Sequence, residues 1–207
     1  MKIVEPSVEL LWITPDPEKQ IEAAGRTCYK SEDKITPTSA RAFTTRMRKS
    51  DHHAMIEHAV ASFRIVTDRG ITHEIVRHRL ASYAQESTRY CNYSGDKFDN
   101  ECSFIEPPGL DEVQRNEWWM ACKYAEVSYL QMLEMECSPQ IARSVLPNCL
   151  KAEITMMANL REWRHFIKLR SSMAAHPQIR PLALMILDVL VAYAPGVFED
   201  LLIKSQG

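Results

Sequence analysis

Between Pro181 and Ala194 the chain is apolar at nearly every position, and Asp188 is the one charged residue inside the run. A segment without a polar face has to be covered on most sides, so it predicts a helix inside a folded core. It is shorter than the roughly 20 apolar residues that span a bilayer, so no membrane insertion is expected. The rest of the chain must supply the cover. Asp16-Pro17 sets an N-cap residue before a proline at the first helical position and predicts a helix to about Cys28. Further helices are expected over Ser39–Arg48, Ile71–Arg79, Asp111–Met135 and Asn159–Arg170, the last because Leu160, Trp163 and Ile167 repeat at helical spacing. Val8–Ile13 and Glu153–Met157 read as strands, as does the segment in which Ala61, Phe63 and Ile65 alternate with Ser62 and Arg64. Asp68-Arg69-Gly70 reads as a turn. Tyr93–Leu110 reads as a long loop of the kind that often serves binding. Helices mixed with few strands, without regular βαβ alternation, predict an α+β fold, and 207 residues fit one domain spanning 1–207.

Several function classes are disfavoured at once. The formal net charge is -2, so no global basic field points to nucleic acid or an anionic membrane, although local basic clusters exist. The six cysteines form no C-x-x-C pair, which argues against structural zinc and thioredoxin-type redox chemistry. The first residues lack the apolar run of a signal peptide, so a cytoplasmic protein with reduced thiols is the expectation. The six glycines are too scattered for G-x-G-x-x-G or a P-loop. A nucleotide, if bound, would have to be held largely by side chains, arginines above all.

The densest chemical cluster runs from Arg77-His78-Arg79 to Ser87, Arg89 and Tyr90. Arginine keeps its charge and offers a rigid fork of donors suited to phosphate and carboxylate. Each charge-assisted hydrogen bond contributes roughly 1.5–3 kcal/mol, so converging arginines could hold a phosphorylated ligand tightly. The bland reading of this cluster is a solvated basic turn. Arg161, Arg164, His165 and Lys168 fall at i, i+3, i+4 and i+7 and predict one basic helix face, solvated on the simplest reading. His52, His53 and His58 invite a metal, but H-E-x-x-H is absent, and no metal is expected. No G-x-S-x-G elbow exists, and Ser87 lacks an obvious activating base. A nucleic-acid-binding module using the same basic clusters remains an alternative at this stage.

Arg77-His78-Arg79, seven residues, then Ser87 resembles the signature of the flavin-dependent thymidylate synthases, and Arg89-Tyr90 extends it. Arg26-x-Cys28-Tyr29, His52-x-x-x-x-Glu57-His58, Arg143-x-x-Leu146-Pro147, Asn159-Leu160-Arg161, Leu169-Arg170 and Ala175-His176 follow the family's order, so the resemblance covers Arg26 to Arg180. It implies an α+β fold with a small, mostly antiparallel sheet packed by helices. It also implies a homotetramer with active sites at subunit interfaces. FAD would be the cofactor, NADPH the reductant, and 5,10-methylenetetrahydrofolate the one-carbon donor to dUMP. Carried over by position, His52, Ala54, Arg77, His78, Arg79, Gln85, Asn159, Arg161 and His165 would contact the flavin. Glu74, Arg77, Gln85, Glu86, Ser87, Thr88, Arg89, Arg143 and Arg170 would contact dUMP. Arg170 would favour loss of the uracil N3 proton, a role a fixed cation suits because it stabilises negative charge developing on the ring. Ala54, Glu74, Ala84, Gln85 and Cys28 depart from residues frequent in the family, which leaves open a member that binds flavin without turnover.

Overall fold

The computed structural model describes residues 1–91, 93, 95 and 100–204. The element order is β1 (Lys2–Ile3), β2 (Ser7–Ile13), α1 (Pro17–Thr27), α2 (Ser39–Lys49), a 3-10 turn (His53–His58), β3 (Val60–Asp68), α3 (Arg69–Ile75), β4 (Ala81–Gln85) and β5 (Ser103–Phe104). It continues with α4 (Glu112–Glu134), α5 (Pro139–Ala142), β6 (Lys151–Asn159), α6 (Leu160–Arg170), α7 (Ile179–Tyr193) and α8 (Pro195–Lys204). One sheet has the order β2-β3-β6-β4, and β1 and β5 form a second, parallel pair. The architecture is α+β, as expected. Among the described residues no helix is long and apolar enough to cross a membrane.

The chain divides into two compact units: residues 1–7, 65–77 and 84–154, and residues 8–64, 78–83 and 155–207. They are called here the first and second unit. In the second, α7 buries Ile179, Leu182, Ala183, Ile186, Leu187 and Leu190. Their spacing of three and four makes one buried face, and Asp188 is exposed. The segment that looked apolar all round is thus covered on one side, with Met185 half in water. α7 packs on α8 and α6, and α1 on α2. Trp163 is fully buried, its indole N–H donates to the Ala61 carbonyl at 3.1 Å, and its ring meets Phe63 edge-on at 5.0 Å. The Asn159 side chain caps α6 by accepting from Glu162 N at 2.8 Å.

In the first unit, Asp111 and Gln114 form a reciprocal capping box that starts α4. Tyr93, Cys102, Phe104, Cys122, Tyr129, Ala142 and Leu150 form its buried cluster. Glu126, 2 % exposed, accepts from Cys102 N at 2.9 Å and Lys123 Nζ at 2.7 Å, so its charge is compensated.

Several expectations need correction. Asp68-Arg69-Gly70 is a helix start: Asp68 accepts from Ile71 N at 2.7 Å and caps α3. The helix expected to reach Arg79 ends at Ile75. Ala81–Gln85, inside the arginine-rich motif, is a strand. Ser62 is buried although it lies on the nominally polar face of β3. Asp16 makes no capping bond, sits at φ 46°, and binds Lys19 at 3.1 Å instead. The expected loop Tyr93–Leu110 contains β5, and its residues 94 and 96–99 lie outside the described residues.

Candidate active site

The residues assigned from sequence sort by unit. His52, Ala54, His78, Arg79, Asn159, Arg161, His165 and Arg170 belong to the second unit; Glu74, Arg77, Gln85, Glu86, Ser87, Thr88, Arg89 and Arg143 belong to the first. Apart from Arg77 and Gln85, the flavin-assigned set therefore falls in the second unit. Apart from Arg170, the dUMP-assigned set falls in the first.

In the second unit the centre is His78, 4 % exposed, with its ring 4.8 Å from Phe166 and 5.5 Å from His165. Arg170, near the end of α6, donates from Nε to His78 Nε2 at 3.0 Å. That bond needs a lone pair on Nε2, so the imidazole is neutral and carries its proton on Nδ1. Burial, followed by the positive charges of Arg170 and His165, pushes the His78 pKa down to about 4, which keeps it neutral near pH 7. His78 Nδ1 faces Glu162 Oε1 at 3.4 Å. The Tyr83 hydroxyl donates to the His78 carbonyl at 2.6 Å. Burial, then the Glu162 charge, raises that phenol to about 12, so it stays a donor. Burial also raises the Glu162 carboxyl, against the pull of His165 and Arg161.

Beside this assembly lies a cavity of about 470 Å³ lined by His53, Glu57, Leu80, Asn159, Arg161, Glu162, Arg164, His165 and Lys168. Its volume lies within the roughly 300–1,000 Å³ usual for ligand pockets. Arg161 pairs with Glu57 across its rim. Leu80 is 82 % exposed and holds a left-handed backbone at φ 64°, an unusual state for a non-glycine residue. His52 and Ala54 flank the lining residue His53 and are exposed, as is Arg79. Arg164 departs from the solvated face expected of it. It is 4 % exposed, donates to Val197 O, and holds Asp200 with two bonds of 2.7 and 2.9 Å. His78, Glu162 and His165 also offer possible metal-ligand atoms within 4.8 Å of one another. Of these atoms, His78 Nε2 is already engaged by Arg170, and His78 Nδ1 lies 3.4 Å from Glu162 Oε1.

In the first unit, Glu86 is committed to the protein. Its oxygens accept from the Tyr93 hydroxyl at 3.1 Å, Lys151 Nζ at 3.1 Å and Glu153 N at 3.2 Å. Gln85 donates to the Thr72 hydroxyl at 2.9 Å. Arg143 donates to the Thr88 hydroxyl at 3.0 Å, and both line a cavity of about 420 Å³ with Arg69, Ser144 and Asn148. Among the described residues no carboxylate lines that cavity. Ser87 Oγ accepts from Arg89 N at 3.3 Å, which is a turn contact and supplies no base. Glu74 is half-buried, and Arg77 and Arg89 are exposed.

Sequence reasoning missed Glu162, Tyr83, Leu80 and Lys151. Glu162 carried a usable signal, since it stands three residues before His165 on a helix whose start is marked by Asn159. Leu80 carried none, because its backbone state depends on the strand that follows.

The family described as thymidylate synthase complementing protein matches residues 9–196. A flavin-dependent thymidylate synthase from Geobacter sulfurreducens is 33 % identical over 202 residues, covering 93 % of this chain and 85 % of the relative. One from Mycobacterium marinum is 36 % identical over 203 residues, covering 88 % and 79 %. The fold is similar to the crystal structure of a UMP/dUMP methylase, PolB, from Streptomyces cacaoi bound with 5-Br dUMP, with a TM-score of 0.80, 22 % identity and 96 % of each chain covered. With a family match over most of its length and relatives this close, the chain belongs to the flavin-dependent thymidylate synthases.

Proposed function

We propose that the protein converts dUMP, 5,10-methylenetetrahydrofolate and NADPH with one proton into dTMP, tetrahydrofolate and NADP⁺. FAD, when bound, supplies the hydride that completes the methyl group. The donor set fits such a cofactor: Asn159, Arg161, His165 and Lys168 line one cavity, and no glycine-rich loop exists to hold phosphates by backbone. The observation that carries the reading is the Arg170–His78 bond. It fixes a guanidinium on a buried, neutral imidazole beside that cavity. A cation so fixed can stabilise negative charge on a uracil ring and ease loss of its N3 proton. Arg143 and Thr88, with the exposed Arg89, provide donors for the nucleotide phosphate. Ser87 binds and does not attack: its hydroxyl accepts from Arg89 N at 3.3 Å, and a backbone N–H cannot serve as a base.

From the family membership we infer that residues 1–207 work as one domain, that the protein is a cytoplasmic homotetramer with sites shared between subunits, and that NADPH is the reductant. The departures at Ala54, Glu74, Ala84 and Gln85 leave this arginine and histidine framework in place. The test is the visible spectrum of the protein with FAD, followed by anaerobic NADPH with and without dUMP. Flavin that bleaches faster with dUMP supports one coupled site. Absence of flavin binding would remove the reading.

A further inference from the structure

Arg170 is useful only if its guanidinium keeps one orientation, and His78 is one group that holds it. Nε is engaged by His78 Nε2 at 3.0 Å. This bond survives only while Nε2 carries a lone pair and the imidazole proton sits on Nδ1. A buried histidine can hold its one proton on either nitrogen, and the choice is set by what faces the other nitrogen. His78 Nδ1 is buried and turned to Glu162 Oε1 at 3.4 Å, long for a hydrogen bond in the ligand-free protein. Catalytic contacts of this kind commonly shorten when the site fills.

Glu162 is itself well placed to act as a fixed acceptor. Its backbone N–H is held by the Asn159 cap at 2.8 Å, and the residue is 8 % exposed. The His78 backbone is held by the Tyr83 hydroxyl, and its ring by Phe166. Carboxylate, imidazole and guanidinium therefore lie in succession, Glu162 Oε1 at 3.4 Å from His78 Nδ1 and Arg170 Nε at 3.0 Å from His78 Nε2. Loss of the carboxylate would free His78 to move its proton to Nε2. Two N–H groups would then oppose each other where Arg170 now donates.

We propose that Glu162 is a positioning residue for Arg170, acting through the Nδ1–H of His78. Glu162 need not touch substrate for this. The inference rests on the reading of Arg170 as the group that acts on dUMP.

Two variants of the FAD-loaded protein test it. Glu162→Leu removes the acceptor, while Glu162→Gln keeps a carbonyl oxygen able to accept from Nδ1. The expected result for Glu162→Leu is a kcat lowered about tenfold to a hundredfold, with KM for dUMP within about threefold, as when an orienting partner is lost. Glu162→Gln should keep kcat within about fivefold of the parent, because it restores the acceptor. Combining Glu162→Leu with Arg170→Ala should cost no more than Arg170→Ala alone, since both act at one point. The independent readout is nitrogen-15 NMR of labelled histidine in the protein without cofactor or substrate. His78 should carry its proton on Nδ1 in the parent and in Glu162→Gln, and shift it towards Nε2 in Glu162→Leu. An unchanged tautomer in Glu162→Leu overturns the proposal, as does a loss in Glu162→Gln equal to that in Glu162→Leu, or losses that add with Arg170→Ala. A parent protein that makes no dTMP would remove the proposed reaction instead, and the tautomer would still decide whether Glu162 sets His78.

Discussion

His78 should make the protein acid-sensitive by an amount that can be calculated. Its folded pKa is about 4, and its unfolded value is the ordinary 6.5. Above pH 6.5 neither state binds the proton, and the histidine leaves stability unchanged. Between pH 6.5 and 4 the unfolded chain binds a proton that the folded protein refuses, so stability falls as pH falls. At about pH 5 the linkage integral gives ~2 kcal/mol lost relative to about pH 7.5. For a chain of this size that corresponds to roughly 4–8 °C in Tm. The perturbation is His78→Gln, which keeps a polar side chain of related reach and cannot titrate. Urea unfolding at both pH values, on parent and variant, gives four free energies. The parent should lose about 2 kcal/mol more than His78→Gln between the two. Arg170→Met should shrink that excess, because one cause of the shift is the Arg170 charge. Equal losses in parent and His78→Gln would refute the reasoning, for then His78 would be titrating normally and could not be the neutral acceptor that Arg170 requires.

Arg170→Ala should leave folding and flavin absorbance intact while lowering kcat for dTMP formation about 10²–10³-fold, measured by anaerobic single turnover. Ser87→Ala should retain activity with weaker dUMP binding; an inactive variant with unchanged dUMP affinity would bring back a nucleophilic serine. Asp200→Ala leaves Arg164 and Arg48, 4 % and 7 % exposed, without a shared partner, and about 2–4 kcal/mol of stability should be lost in a urea titration. Gly25→Ala would bring a new Cβ within 2.5 Å of the buried Phe43 ring, so a loss of about 1–3 kcal/mol is expected, and an unchanged Tm would show that Phe43 can move aside.

How far the sequence could be read follows from the range of the interactions involved. α1, α2, α4, α6 and α7 were legible, because Asn159, Asp111, Pro17 and the apolar spacing act within a few residues of themselves. β4 was not, since Ala81–Gln85 lacks an apolar alternation of its own and owes its conformation to pairing in the sheet. Asp68-Arg69-Gly70 reads as a turn from sequence because an N-cap and a turn use the same residue types. Arg164 shows the limit most sharply. On the helical wheel it belongs with Arg161, His165 and Lys168, and only the arrival of Asp200 from α8 allows it to be buried. The arginine and histidine motif could be recognised in sequence. That His78 would be neutral and would face Glu162 could not, because Glu162 is 84 residues away along the chain and its approach depends on tertiary packing.

The chain passes between its two compact units after residues 7, 64, 77, 83 and 154. Two of those passages lie inside the arginine-rich motif, so that Arg77 and His78, adjacent in sequence, are assigned to different units. A gene cut anywhere between the codons for residues 8 and 154 would leave both units broken, and no single contiguous exchange between relatives could move one of them without carrying part of the other. Swaps that respect both units therefore need several crossover points at once.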